Sequence, residues 1–402
     1  MQILLLNELD STTKPQTQEI IQTQKEKIRL DECLANALKT SKSQISNLIK
    51  NEQISLNNKP CKKGGIYLKN NDKIHIKNPQ ILIKQQSSTQ QTTSNSAHFG
   101  QFVEKIHIDK IYENDDFLIL NKPPFLCVHS APSLKEPTLV DWLKQHNIML
   151  SNIAGEQRAG IVHRLDKQTS GAIIIAKNNA THAVLSEELK SKNIGRYYLA
   201  LIDSPLKNHI IIESKIARHP KNRLKMANID SFSNVSNNLI QSARYAKSEF
   251  APLLSNQSNG ISLICAKLHT GRTHQIRTHL EKINRHIIND TTYGFKPNKM
   301  INEILEEHQK SSDFLPRVFL HAYLLYMPSQ LMTMPQSNIH PQQKAQIFCG
   351  SVFDDMLQFC TKIFGKRQFD EAIRIPRILQ AFNDENECKI NENTTDKNKA
   401  TI

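Results

Sequence analysis

A chain of 402 residues with 38% apolar and 22% charged side chains is too long for one ordinary core and apolar enough to fold into two or three domains. It carries 52 Lys and Arg against 38 Asp and Glu, a net charge of +14 and a pI near 9.3, which favours an anionic partner, nucleic acid before membrane surface. Seven cysteines, none in C-x-x-C spacing, argue against a disulfide framework or a cysteine zinc site and for reduced thiols in a cytoplasmic protein. The start MQILLLNELD has four consecutive apolar residues with acids close behind, unlike a signal peptide. No apolar run approaches the roughly 20 residues that span a bilayer, so no membrane partner is expected.

In chain order, residues 1–27 are expected to be disordered. Residues 28–83 read as a small unit. Leu30, Cys33, Leu34, Ala37 and Leu38 follow the stripe of a half-buried helix. Thr40 or Ser41 can cap a second helix that turns Ile45, Leu48 and Ile49 inward. Short strands follow, with Asn57-Asn58 suited to the positive φ of a tight hairpin turn. Residues 28–80 hold ten Lys and Arg against four acids, and Lys39, Lys42 and Lys50 gather around the second helix, where phosphate contact is the functional reading and a solvated face the ordinary one. Residues 84–102 read as a flexible linker, since KQQSSTQQTTSNSAH has almost no apolar content.

From 103 to 365 the chain reads as an α+β domain. FLILNKP, GAIIIAK, RYYLALID and ISLICAKLHTG have the character of strands; TLVDWLKQH, ATHAVLSEELKSK and THQIRTHLEKI that of helices. They intermix without a regular βαβ rhythm, which argues against a doubly wound sheet. Residues 228–247, rich in Asn and Ser, read as a surface insertion. Residues 366–402 read as a C-terminal extension with a disordered end.

Three stretches can carry chemistry. In IVHRLDKQTSGAIIIAKN, Asp166 sits beside Arg164 and His163, followed by a Thr-Ser-Gly turn and a buried strand. A neighbouring cation favours the ionised carboxylate, and a positioned carboxylate serves as nucleophile or base. An Asp–Arg pair that merely stitches the loop is the ordinary alternative. In LHTGRTHQIRTHL, Thr273 is expected to cap a helix carrying His274 and Arg277 on one face, a basic end suited to anions. His269, His274 and His279 are each five apart, about 140° of rotation per step, so one helix cannot aim them at a single metal. In GRYYLALI, Tyr198, Ala200 and Ile202 share a strand face opposite Tyr197. A strand tyrosine is usually core, and the sharper reading is a ring stacked on a flipped base.

The set and its order resemble the RluA-type pseudouridine synthases. HRLDKQTSGAIIIAK is similar to that family's central motif, NKPPFLCVHS to the preceding one, RYYLALI to its K-x-Y-x-A strand, and TGRTHQIRTHL with IINDTTYG to its closing motif. Residues 28–83 resemble the S4-type RNA-binding domain that many ribosomal-RNA members carry in front. The resemblance implies a mixed, largely antiparallel catalytic sheet and isomerisation of uridine in RNA, most simply large-subunit ribosomal RNA, with no metal or cofactor, by a monomeric enzyme. It makes Asp166 the catalytic carboxylate, Arg277 its partner and Tyr198 the stacking ring. Arg164 would handle the flipped nucleotide, Arg272 and His274 would contact RNA, and His163 would be structural. The chain departs from the pattern at Phe125, where a glycine is usual, at Gln168, where an acid is frequent, and at Arg196, which replaces a lysine.

Three other readings stand beside it. An RNA-binding protein that has lost activity is disfavoured by the presence of Asp166, Tyr198 and Arg277. A transfer-RNA synthase would use the same residues. A glycoside or nucleoside hydrolase would need a second positioned carboxylate, which these motifs do not supply.

Overall fold

The computed structural model describes residues 2–8, 17–22, 28–37, 45, 48–49, 52–61, 63–77, 106–130, 136–232, 236–310, 314–328, 331 and 345–383, in two units, 1–96 and 97–402. In the first unit, β1 (Gln2–Glu8) and β2 (Thr17–Gln22) pair antiparallel. Helix α1 (Leu30–Ala37) buries Leu30, Cys33 and Leu34 in one cluster with Ile54, Ile74 and Ile76. These isoleucines come from β3 (Ile54–Leu56) and β5 (Lys73–Lys77), and β4 (Lys59–Pro60) completes the hairpin. Asn57 and Asn58 turn that hairpin at φ 50° and 66°, a region that asparagine tolerates. Asn57 is held there by a bond from its Nδ2 to Asp72 Oδ1 and one from the Lys73 N–H to its Oδ1, both 2.8 Å.

The expectation that residues 1–27 are disordered is corrected for the described part. β1 lies parallel to β5 in the same sheet, so its backbone partners come from far along the chain, where local composition gives no signal. Lys39, Lys42, Lys50, the expected caps Thr40 and Ser41, and the 84–98 stretch lie outside the described residues.

The second unit is built on a ten-stranded sheet. Its strands are β6 (Asp109–Glu113), β7 (Phe117–Lys122), β8 (Ser170–Ala176), β9 (Gly195–Ile202), β10 (Ile210–Arg218), β11 (Met226–Asn228), β12 (Arg244–Ser255), β13 (Ser262–Leu268), β14 (Leu320–Met327) and β15 (Gln346–Cys349). They lie in the order β11-β10-β12-β13-β9-β14-β8-β7-β6, with β15 on β14. Every pairing is antiparallel except β8 with β14. The mixed, mainly antiparallel α+β sheet is therefore the fold, as the sequence indicates.

Alternation along β9 divides the core. Tyr198, Ala200 and Ile202 join one cluster with Leu139 and Leu143 of α2 (Leu139–Gln145). Tyr197, Leu199 and Leu201 join the other, on the opposite face. The second face is closed by helices α7 (Asp354–Phe364), α8 (Lys366–Ala372) and α9 (Ile375–Gln380); α3 (Asn179–Lys190), α4 (Asn237–Ser242), α5 (Gln275–Lys282) and α6 (Lys299–Lys310) precede them. Residues 366–383 pack as part of this unit, since Phe369, Ala372, Ile378, Leu379 and Phe382 are buried in that same cluster. Helix α2 is capped by Thr138, which forms a reciprocal box with Asp141.

β8 is the platform on which the loop of Asp166 rests. Ile173, Ile174 and Ile175 are wholly buried, each contributing roughly 1.5–3 kcal/mol. At its start Gly171 has φ 112°, and a Cβ there would lie 2.2 Å from the Ala322 carbonyl oxygen. Only glycine lets β8 and β14 approach so closely.

Candidate active site

The loop before β8 is held from beneath. His163 Nε2 accepts the Ile174 N–H at 2.9 Å, so the ring proton of the neutral imidazole is on Nδ1, a buried atom without a partner. Burial, with Arg196 nearby, pushes the His163 pKa down to about 3. Gln168 Oε1 accepts the Val318 N–H at 2.9 Å. Under it, the wholly buried Arg317 grips Asp355 through Nε and Nη2, and its Nη1 reaches the Leu320 carbonyl at 3.3 Å. Lys122 donates to the carbonyls of Pro123 at 2.7 Å, Leu126 at 2.9 Å and Lys167 at 3.4 Å. Its pKa is pushed down to about 7, chiefly by burial and secondly by Arg317. The loop closes with the Thr169 N–H on the Asp166 carbonyl at 3.1 Å.

Opposite stands the start of α5. Arg277 turns most of its fork to Asp290, Nε to Oδ2 at 2.7 Å and Nη2 to Oδ1 at 2.8 Å. The remaining Nη1 reaches Asp166 Oδ2 at 3.4 Å. The guanidinium lies over the Tyr293 ring, 4.7 Å from its centroid. Burial lowers the Arg277 pKa, but the bond and charge of Asp290 outweigh it and the net displacement is upward. His274 Nε2 is 3.8 Å from the same Asp166 oxygen. Its Nδ1 is 3.0 Å from the Tyr293 hydroxyl, which also accepts the Met226 N–H at 2.8 Å. Burial lowers the His274 pKa, and a neutral ring taking the tyrosine proton on Nδ1 aims Nε2–H at Asp166.

Between these walls is a cleft of about 360 Å³. Arg158, Arg164, Lys190, Arg196, Arg272 and Arg277 line it, and Asp166 is the single carboxylate among its lining residues. Arg164 and Arg272 are exposed at the rim, whereas Tyr198 is 6% exposed and Arg196 5%. The arrangement can take an anionic polymer at the mouth and a small uncharged ring inside, against a carboxylate with free lone pairs.

The structure brings Asp166, Arg277, Tyr198, Arg164, Arg272 and His274 around this one cleft. It corrects the expected start of the closing helix. α5 begins at Gln275, and His274, not Thr273, is its N-cap, at φ 55° in the left-handed region. Gln275 explains this, because its Oε1 accepts from the Arg272 N–H at 3.0 Å and from Thr270 Oγ1 at 2.7 Å. It thereby occupies the turn that a Thr273 cap would use. Sequence reasoning did not single out Asp290 or Tyr293, although both lie in IINDTTYG; the available signal was an acid and an aromatic in a motif already set apart. Arg196 is legible in the sequence only as a departure from the lysine of that strand motif.

Comparison with known proteins gives a consistent picture. Residues 116–282 match the family described as RNA pseudouridylate synthase. An uncharacterized RNA pseudouridine synthase of Helicobacter pylori is 44% identical over 356 residues, covering 88% of this chain and 95% of that one. Another, of Aquifex aeolicus, is 33% identical over 284 residues, covering 70% and 81%. A protein of Pseudomonas aeruginosa named ribosomal large subunit pseudouridine synthase D is 29% identical over 301 residues, covering 74% and 83%.

Proposed function

The chain belongs to the RluA-type family of RNA pseudouridine synthases, isomerases of RNA, and we propose that it converts specific uridines of large-subunit ribosomal RNA with Asp166 as the reacting carboxylate. The observation that carries this reading is the position of Asp166. Among the described residues it is the one acid lining a cleft with six cations, and it meets Arg277 through a single long contact of 3.4 Å. Asp290 holds Arg277 still, so Arg277 orients Asp166 without enclosing it. One oxygen therefore stays available to attack the sugar C1′ or the uracil ring.

Uracil leaves C1′ from N1 and returns through C5. The C5 proton is lost and N1 gains one, so atoms and electrons balance without a metal or cofactor. Tyr198 stacks on the target base, as a flipped nucleotide requires. Arg164 occupies or guards the vacated place in the RNA, and Arg272 and His274 meet the backbone beside it. The ribosomal assignment is supported by the names of relatives such as the Pseudomonas aeruginosa protein. It is supported also by the basic front unit at 28–83, which we take as an S4-like RNA-binding domain using Lys39, Lys42 and Lys50. The enzyme acts as a cytoplasmic monomer on RNA or a pre-ribosomal particle.

Two experiments test this. A pseudouridine map of cells with and without the gene is expected to lose sites in large-subunit ribosomal RNA. Losses confined to transfer RNA would overturn the substrate assignment. Removing residues 1–96 is expected to weaken RNA binding and flatten its dependence on salt, and an unchanged salt slope would overturn the role of the front unit.

A further inference from the structure

Three arginines lie deep around the loop of Asp166, and two of them are accounted for. Arg317 grips Asp355 and Arg277 grips Asp290. Arg196 is different. It is 5% exposed, its Nε is buried with no hydrogen-bond partner, and no carboxylate pairs with it among the described residues. It stands on β9 two residues before Tyr198, on the same strand face, and both line the cleft with Asp166. A Cβ on Gly271 would lie 2.7 Å from its Nη1, so the glycine of the TGR stretch makes the room it occupies. His163, whose pKa is depressed chiefly by burial and secondly by the nearby Arg196, contributes a second buried donor without a partner, Nδ1.

An unpaired buried charge is among the least stable placements a protein can make. A guanidinium does not escape it by losing its proton. Such a group is retained where a ligand completes it. The ligand here is not a backbone phosphate. The exposed Arg164 and Arg272 hold the rim, whereas Arg196 is nearly closed off, and only a nucleotide turned out of its strand reaches it.

We propose that Arg196 is a catalytic residue that binds the carbonyl oxygens of the flipped uracil and takes up the negative charge the ring gains when it is detached. This rests on the reading of the cleft as the uridine site. When C1′–N1 breaks, the electron pair leaves with the ring and spreads over N1, O2 and O4. Alternate residues on a strand are about 7 Å apart, so a ring stacked on Tyr198 presents an edge to Arg196. The contact is weak to a neutral carbonyl and strong to the anion, the difference that lowers a barrier. Once C5 has bonded to C1′, lost its proton, and N1 has gained one, the charge is gone and the contact loosens.

The test uses the full chain carrying Arg196→Met or Arg196→Lys, and an RNA bearing a uridine found by the map above. Single-turnover rate, RNA Kd and the Tm of the free enzyme are measured. Arg196→Met is expected to lose on the order of 100-fold in rate, with Kd changed less than about threefold. Its Tm should equal or exceed that of wild type, because an unpaired charge has been removed. Arg196→Lys is expected to recover a tenth or more of the lost rate. A wild-type rate in Arg196→Met, a loss lying wholly in Kd, or a Tm several degrees lower in the methionine variant would each overturn the proposal. Wild-type enzyme silent on every mapped RNA would instead sink the functional reading. The Tm comparison still decides whether Arg196 is a brace.

Discussion

Two arginine–aspartate arrangements flank the loop of Asp166, and they are built to opposite ends. Arg317 and Asp355 form a closed pair, 1% and 6% exposed, whose spare donors go to backbone carbonyls. Arg277 also has a closed partner, Asp290, 1% exposed, but keeps one nitrogen for Asp166 at 3.4 Å. The first arrangement spends every polar atom on holding the chain. The second holds itself and leaves one carboxylate outside the pair, facing the cleft. The difference shows that a buried ion pair marks neither structure nor chemistry. What separates them is whether a charged group remains unsatisfied beside a cavity.

The largest expected effect separates the two outright. Asp166→Asn is expected to abolish pseudouridine formation, a loss of ~10³-fold or more. RNA Kd and urea stability should barely change, because Asp166 contributes one long contact. A variant that still turns over at the normal rate would end the assignment. Asp355→Asn is expected to do the reverse, costing about 3–5 kcal/mol in urea unfolding by leaving Arg317 uncompensated. Whatever Asp355→Asn protein stays folded at low temperature should retain its single-turnover rate. Arg277→Lys lies between them. A lysine cannot reproduce the fork on Asp290 and still meet Asp166, so a rate loss of ~100-fold and a stability loss of ~1–2 kcal/mol are expected. A lysine variant with wild-type rate would mean that Asp166 needs no partner.

The sequence allows unequal access to these features. Asp166, Arg277 and Tyr198 are legible because each sits in a motif with a distinctive local order. The strand faces are legible because β9 alternates between two cores, which period-two reading captures at Tyr197 and Tyr198. The division of labour between Asp290 and Asp166 is not, since it depends on which carboxylate the fold brings to which side of one guanidinium. Arg317 and Asp355 fall in no motif, and their pairing spans 38 residues, from the segment before β14 to the start of α7. Gln168, legible only as a departure, proves to be the anchor that receives the Val318 N–H. β1 and β2 escape a segment-by-segment reading because the edge they occupy belongs to β5.

The histidines packed among these parts sharpen the comparison through pH. His321 and His279 are wholly buried, and burial pushes each down to about 4; His163 goes to about 3. In the unfolded chain each titrates near 6.5. Between that value and about 4 the unfolded state therefore binds more protons than the native one, so stability falls as pH falls through this window and is complete above about pH 7. Urea midpoints are expected to drop steadily from pH 7 to pH 5. His279→Gln, which can still reach Ser248 and Ser214, should flatten that slope by up to ~1.4 kcal/mol per pH unit. An unchanged slope would mean that His279 is not a contributor.

The smallest effect concerns the strand end beneath the loop. Phe125 stands at φ 65°, where a bulky side chain is strained by ~1–3 kcal/mol. It lies within the turn whose carbonyls, Pro123 and Leu126, are gathered by Lys122. That lysine, wholly buried and without a carboxylate bond among the described residues, holds the loop by carbonyls as Arg317 does by Asp355. Phe125→Gly removes the strain while adding the entropy of a freer unfolded chain, ~0.5–1 kcal/mol. The balance is a gain of about 1 kcal/mol, or ~2 °C in Tm, with turnover unchanged because the rim is untouched. If Tm falls instead, the half-buried ring packs more than its backbone costs, and the turn is held by Phe125 as well as by Lys122. If Tm rises but turnover drops, the strained phenylalanine belongs with the rim and not with the brace.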